Sequence, residues 1–246
     1  MGSRTDIPAE SRLIPVSDVL KALANEVGAC LPRSVLSRFG SLLNYLETGR
    51  WMKERGFSPR VRVRNRVELI RTLARSIADQ EVLYLEFGVW KGESMELWSK
   101  LLTNPMSRLH GFDSFEGLPE SLDHRGPNAG PWAKGFLSTS GTLPGICDPR
   151  VKFFKGWFED TLPAYNLFPG QILVIFLDAD LYSSTIYVLK TLERHIKVGT
   201  IIYFDEFWDT QHEQKAFSEF IEESRMKFEV MAADYGTRHV AFQRVQ

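Results

Sequence analysis

Two short apolar runs, each followed directly by acidic residues, constrain the fold of this chain more than any other feature. The runs and their acids are residues 172–177 with Asp178 and Asp180, and residues 200–204 with Asp205 and Glu206. Runs of this length, rich in β-branched and aromatic residues, are typical of strands buried on both faces of a parallel sheet. Because ligands bind outside the carboxyl ends of such strands, we expect the four acids to converge. Clustered carboxylates need a positive partner, and a hard divalent cation with oxygen ligands fits that need.

Composition excludes several classes of protein. The chain has 246 residues, a net charge of −1 and 43% hydrophobic residues, which suits one large α/β domain and gives no sign of nucleic-acid or membrane binding. Cys30 and Cys147 are too few for a disulfide framework, and no apolar stretch approaches the roughly 20 residues of a membrane span. The first residues lack the apolar core of a signal peptide, so a cytoplasmic protein is expected.

The chain divides into two parts by pattern. Residues 1–58 predict an N-terminal helical extension, which would serve as a lid, a dimer contact or a packing element. Residues 59–246 alternate strand-like and helix-like segments, a pattern that predicts an α/β domain with a doubly wound sheet.

Two further segments can each be interpreted in two ways. Arg62, Arg64 and Arg66 alternate with other residues and would share one side of an extended chain, either as the solvated face of a linker or as a contact to an anionic group. Residues 119–149 form a long segment rich in glycine and proline with Trp132 near its centre. Such a loop is either a cover over a ligand or a mobile connector.

A glycine turn follows the first strand of the alternating region. Glu86, Gly88, Gly92 and Ser94 form an E-x-G-x-x-x-G pattern that differs from the dinucleotide fingerprint G-x-G-x-x-G. The acid would repel a pyrophosphate but would accept a hydrogen bond from an ammonium group. Asp113 ends the next strand 25 residues after Gly88, close to the spacing at which an acid binds ribose hydroxyls. Together these features favour a ligand that carries adenosine.

The remaining motifs complete the predicted site. Gly156 and Trp157 follow the third strand, where they would lie beside an adenine or belong to the core. An acid that does not bind the cation, such as Asp180, would act as a general base on a bound hydroxyl. The alternative is that the acids cap the following helix or loop. Among the histidines, only His212 lies near a predicted strand end that carries acids.

Four of these motifs, taken in order, resemble those of a known family. Residues 86–92, 111–119, 156–163 and 177–185 are similar to the motifs of the macrocin O-methyltransferase (TylF-like) family of class I S-adenosylmethionine methyltransferases. The resemblance runs from about residue 61 to the C-terminus. It implies a Rossmann-like sheet of seven strands, the last of them antiparallel.

The resemblance also implies a role for each site residue. The S-adenosylmethionine site would comprise Glu86, Gly88, Gly92, Ser94, Asp113, Ser114, Gly156, Trp157 and Asp178. The magnesium ligands would be Asp178, Asp205 and Glu206, with Asp180 as the base. Glu206 departs from the Asp-Asp pair of the family's antibiotic-sugar members, which weakens its assignment as a ligand.

The sequence therefore predicts an S-adenosylmethionine-dependent O-methyltransferase, dependent on Mg²⁺, that acts on a hydroxyl of a small molecule. A sugar or glycosylated natural product is the preferred acceptor. The alternatives are a metal-independent methyltransferase acting on an amine or carboxylate, and an S-adenosylmethionine-binding module without catalysis. Neither nucleic acid nor a membrane is an expected partner, and the N-terminal helices leave a homodimer open.

Overall fold

A computed structural model describes residues 16–122, 132–168 and 171–246. These residues form one sheet with helices on both faces. The strands are β1 (Val61–Val63), β2 (Val82–Phe87), β3 (Arg108–Asp113), β4 (Val151–Lys155), β5 (Ile172–Leu177), β6 (Ile201–Phe204), β7 (Phe228–Asp234) and β8 (Val240–Arg244). The helices are α1 (Val16–Cys30), α2 (Arg33–Glu54), α3 (Arg66–Ile77), α4 (Glu93–Leu101), α5 (Phe158–Thr161), α6 (Tyr182–Leu192) and α7 (Glu213–Ser224).

The strand order across the sheet is β1-β7-β8-β6-β5-β2-β3-β4. All neighbouring pairs are parallel except those of β8, which runs antiparallel to both β6 and β7. This arrangement confirms the predicted doubly wound core of seven strands with an antiparallel last strand. The sheet has an eighth strand that was not predicted, because β1 pairs in parallel with the outer edge of β7. β1 is only three residues long and buries one side chain, Val63, so its alternation is too short to predict a strand.

The central strands explain why the acids that follow them meet. All six residues of β2 are buried, as are five of the six in β5, because helices cover both faces of the sheet. β2 and β5 pair directly, with Phe87 opposite Leu177, and β5 pairs with β6, with Leu177 opposite Phe204. The carboxyl ends of the three strands therefore lie side by side.

The two N-terminal helices differ in how they pack. α1 has no buried residue. The last turns of α2 join the core: Met52 is buried, and the ring of Trp51 lies 5.5 Å from that of Phe207. On the same helix, Tyr45 stacks on Trp208 at a centroid distance of 5.4 Å. The C-terminal half of α2 thus lies against the segment that follows β6.

No helix in the described part of the chain combines the length and apolar character needed to cross a membrane.

Candidate active site

The glycine turn after β2 brings two strand ends into close contact. Gly88 has a φ of +91°, and a β-carbon at this position would lie 1.9 Å from the carbonyl oxygen of Asp178. Only glycine fits this approach, because it has no side chain and adopts positive φ without cost. Gly92, with a φ of +81°, is the N-cap of α4. The turn therefore sets the distance between the backbone after β2 and the backbone after β5.

Asp113 organises the same turn from the neighbouring strand. Its Oδ2 accepts hydrogen bonds from the backbone N–H groups of Val89 and Trp90, each at 2.8 Å. Its Oδ1 accepts one from Phe115 N at 2.7 Å. A carboxylate has about four acceptor positions, so Asp113 keeps about one, on Oδ1, for a ribose hydroxyl of the kind predicted for it. Ser114 accepts a 3.1 Å hydrogen bond from Glu116 N, which fixes the next turn.

Glu86 and Ser94 lie behind the turn, fully or nearly buried. Tyr84 Oη donates to Glu86 Oε2 at 2.7 Å, and the Ser94 hydroxyl donates to the other carboxylate oxygen. Burial raises the pKa of Glu86 to about 7, against the opposing effect of these two hydrogen bonds. The predicted contact of Glu86 with the methionine portion of the methyl donor stays a prediction, since the carboxylate is enclosed by protein.

The raised pKa of Glu86 has a measurable consequence for stability. The folded state holds this proton more tightly than the unfolded chain, so the contribution of Glu86 to the free energy of unfolding is fully present below pH 4.5 and is lost as the pH rises through about 7. The loss amounts to roughly 3 kcal/mol. Glu86→Gln cannot ionise, so we expect its stability relative to the wild type to rise between about pH 5 and pH 8 in urea unfolding. The exposed Glu93 provides the control, Glu93→Gln, and a pH-independent difference for Glu86→Gln would contradict the assignment.

One cleft collects most of the predicted site residues. It is lined by Gly88, Asp113, Ser114, Gly156, Trp157, Asp178, Asp180 and Glu206, together with Arg66. Glu86, Gly92, Ser94 and Asp205 are buried next to it and do not line it. Gly156 and Trp157 enter from the end of β4, on the side where an adenine was predicted. His212 lies outside the lining; its Nδ1 is 3.2 Å from Tyr182 N.

Part of the long loop closes the mouth of this cleft. Leu118, Pro119, Trp132 and Leu137 line it. Leu122 and Trp132 exchange two backbone hydrogen bonds, which ties the two described ends of the loop together. These contacts support the interpretation of the loop as a cover, although residues 123–131 lie outside the described residues.

Asp178 and Asp180 follow β5 on the floor of the cleft. Asp178 Oδ2 accepts a hydrogen bond from Arg66 Nη2 at 2.8 Å. Burial and the nearby carboxylate of Asp205 raise the pKa of Asp178. Asp180 is 6% exposed and has a φ of +64°, in the left-handed region that aspartate adopts more readily than most residues with a side chain.

Asp205 and Glu206 follow β6 and have different partners. Asp205 Oδ1 lies 2.7 Å from Arg66 Nε, accepts from Tyr203 Oη at 3.0 Å and is 3.4 Å from His239 Nδ1. Burial alone would raise the pKa of Asp205, but His239 and Arg66 hold it below its usual value. Glu206 pairs with Arg238 through one oxygen and accepts from Trp208 Nε1 at 2.6 Å through the other.

The donor chemistry of this site fits a divalent cation at two of the three predicted ligands. Arg66 places one positive charge on both Asp178 and Asp205, which shows that a cation is accommodated by these two carboxylates. Both carboxylate oxygens of Glu206, the third predicted ligand, already have protein partners: one pairs with Arg238 and the other accepts a hydrogen bond from Trp208. Within residues 16–122, 132–168 and 171–246, no group of three acidic, histidine or cysteine side chains converges closely enough to hold an ion. The assignment of all three acids as ligands stays a prediction.

Arg66 is a site residue that the sequence did not assign. The alternation with Arg62 and Arg64 predicts that it lies on one side of an extended segment, yet it begins α3 and contacts acids 112 or more positions away. The signal that was available is Asn65 followed three residues later by Glu68, a pattern typical of a helix N-terminus. Asn65 Oδ1 does accept from Glu68 N, at 3.0 Å.

Comparison with known proteins finds relatives that are O-methyltransferases. A segment of 144 residues is 32% identical to the 8-demethyl-8-(2,3-dimethoxy-alpha-L-rhamnosyl)-tetracenomycin-C 4'-O-methyltransferase of Streptomyces olivaceus, covering 50% of this chain and 52% of that protein. A second relative is the demethyldecarbamoylnovobiocin O-methyltransferase of Streptomyces niveus, 26% identical over 186 residues and 67% of each chain. The match thus spans about half the length of the first relative.

Similarity in three dimensions agrees with the fold. The solved structure of the O-methyltransferase NovP is similar to this chain with a TM-score of 0.57 and 24% identity, covering 73% of this chain and 79% of that one. The family model described as Macrocin-O-methyltransferase (TylF) matches residues 60–244, which is most of the chain and includes every residue of the cleft. The chain therefore belongs to the macrocin O-methyltransferase family.

Proposed function

We propose that this protein transfers the methyl group of S-adenosylmethionine to a hydroxyl of a small molecule, with a sugar or glycosylated natural product as the acceptor. The observation that carries the proposal is one cleft in which the glycine turn, Asp113 and the acids after β5 and β6 meet. Family membership supports the reaction, and the tetracenomycin relative is named for O-methylation associated with a rhamnosyl group.

The charge of the cleft suits the methyl donor. Four carboxylates that line it, Asp113, Asp178, Asp180 and Glu206, face a ligand with a sulfonium and an ammonium group. When bound, S-adenosylmethionine supplies an activated methyl group whose transfer needs an aligned nucleophile. The fixed turn around Gly88 and the backbone hydrogen bonds of Asp113 supply that alignment, and orientation of this kind contributes much of the rate in enzymes.

The acceptor hydroxyl needs a base, because an alcohol is a poor nucleophile at neutral pH. Asp180 lines the cleft next to the Arg66 pair. Its carboxylate would take the hydroxyl proton as the oxygen bonds to the methyl carbon and the S–CH3 bond breaks, which leaves S-adenosylhomocysteine as the neutral thioether. Mg²⁺ held by Asp178 and Asp205 would lower the pKa of the hydroxyl. Trp132 and the loop that carries it would exclude water from the reacting atoms.

The test is methyl transfer to a panel of acceptors, followed by mass spectrometry. The panel contains glycosylated aromatic compounds, their aglycones, amines and carboxylates, each with and without Mg²⁺ and with EDTA. We expect an added methyl on a sugar hydroxyl, with EDTA lowering the rate at least tenfold. EDTA-insensitive transfer to an amine or carboxylate would replace the proposal by the metal-independent alternative. Tight S-adenosylmethionine binding with no transfer to any acceptor would instead identify a binding module.

A further inference from the structure

Arg66 pairs with one oxygen of each of the two carboxylates that would hold a metal ion. Its Nη2 lies 2.8 Å from Asp178 Oδ2, and its Nε lies 2.7 Å from Asp205 Oδ1. Among the described residues, Arg66 is the one side-chain partner of the Asp178 carboxylate. A divalent cation bridging the two carboxylates would lie within a few ångströms of the guanidinium, where the two positive charges repel each other and compete for the same acids.

The position of Arg66 in the fold lets it leave the acids. It is the first residue of α3, where the helix dipole disfavours a positive charge. Its side chain is 29% exposed and lines the open cleft, so it has solvent to move into. The ring of Phe176 lies 5.5 Å from the guanidinium, a cation–π contact that favours the paired position and would be lost when Arg66 leaves.

The acids themselves stay in place without Arg66. Asp205 keeps its hydrogen bond from Tyr203 and its contact with His239, and it is 6% exposed. The backbone of Asp178 is fixed by the hydrogen bond from its N–H to Phe87 O and by the close approach of Gly88. Removing Arg66 would therefore leave two positioned carboxylates without their cation.

We propose that Arg66 is a displaceable counter-ion of the metal site: it holds Asp178 and Asp205 together when the site is empty of metal and must swing out before a divalent cation binds there. The inference rests on the proposed Mg²⁺ site and adds a competitor built into the chain. It makes the apparent metal affinity of the wild type lower than the two carboxylates alone would give, because part of the binding free energy is used to break the Arg66 pairs.

The experiment compares Mg²⁺ and Mn²⁺ binding by isothermal titration calorimetry in the full chain. Arg66→Gln removes the competing charge and is expected to bind both metals at least tenfold more tightly than the wild type. Arg64→Gln removes the same charge from an exposed side chain two positions away and is expected to stay within twofold of the wild type. The double variant Arg66→Gln with Asp205→Asn is expected to lose the increase in metal affinity, which would show that the ion binds at Asp205.

If Arg66→Gln is too unstable for calorimetry, thermal unfolding provides a second measurement of metal binding. A divalent cation would replace the lost charge, so saturating Mg²⁺ is expected to raise the melting temperature of Arg66→Gln more than that of the wild type. Arg66→Lys keeps the positive charge but loses the forked arrangement of N–H donors that the guanidinium has. Its metal affinity is expected to lie between that of the wild type and that of Arg66→Gln.

The outcomes separate this inference from the proposed function. Equal or weaker metal binding by Arg66→Gln overturns the displacement role and shows that Arg66 supports the ligands. Metal binding by neither protein overturns the inference and the metal site together. In both cases methyl transfer by the wild type, measured separately, decides whether the proposed O-methylation stands.

Discussion

Asp180→Asn is expected to lower kcat by about 10²–10⁴-fold while leaving the affinity for S-adenosylhomocysteine, which lacks the sulfonium charge, within threefold of the wild type. Asparagine has the size of aspartate but cannot accept the hydroxyl proton. It also tolerates the positive φ of this position, so the local backbone is preserved. The measurement is single-turnover methyl transfer together with calorimetric binding of S-adenosylhomocysteine.

The pH dependence distinguishes a base from a structural residue. Without the base, the rate depends on hydroxyl ionised in solution, so log kcat of Asp180→Asn should rise with pH with a slope near one while the wild type levels off. An acceptor with a more acidic hydroxyl, such as a phenol, should lose less activity. The exposed Asp160 provides the control, Asp160→Asn, which should retain wild-type rates. A loss that is equal at every pH and for every acceptor would refute the role of Asp180 as base.

The placement of the acids was predictable because it depends on local patterns and one topological rule. Short apolar runs such as β5 predict buried strands, and parallel strands bring their carboxyl ends to one edge. Gly88 was also recognisable as a ligand-side turn. Its packing against the Asp178 carbonyl was not, because that contact depends on the register between β2 and β5.

The partners of the acids could not be predicted, since they come from distant parts of the chain. Arg66 reaches Asp178 across 112 positions, and Arg238 reaches Glu206 across 32. Periodicity describes which face of an element a residue occupies but carries no information about which element packs opposite. The sequence and the resemblance assigned the four acids different roles but not their partners: in the structure Asp178 and Asp205 share one cation and Glu206 is held by another.

Among the glycines in the described part of the chain, Gly88→Ala is expected to have the largest effect on stability. The new β-carbon would lie 1.9 Å from the carbonyl oxygen of Asp178, and backbone cannot rotate away as a side chain can. Positive φ adds a further cost of about 1–2 kcal/mol for alanine. Together with overpacking, we expect a loss of about 3–5 kcal/mol and a fall in melting temperature of roughly 10 °C. Binding of S-adenosylhomocysteine should weaken at least tenfold, because Gly88 lines the cleft.

Two control variants separate the clash from the backbone strain. Gly199 has a φ of +93°, but a β-carbon added there would meet open space. Gly199→Ala therefore introduces backbone strain without a clash and should lower the free energy of unfolding by only about 1–2 kcal/mol. Gly145 has neither the strain nor a close neighbour, and Gly145→Ala should leave stability nearly unchanged. If Gly88→Ala loses no more stability than Gly199→Ala, the two strand ends are not in the close contact described, and Asp178 is free to take a different position relative to the methyl donor.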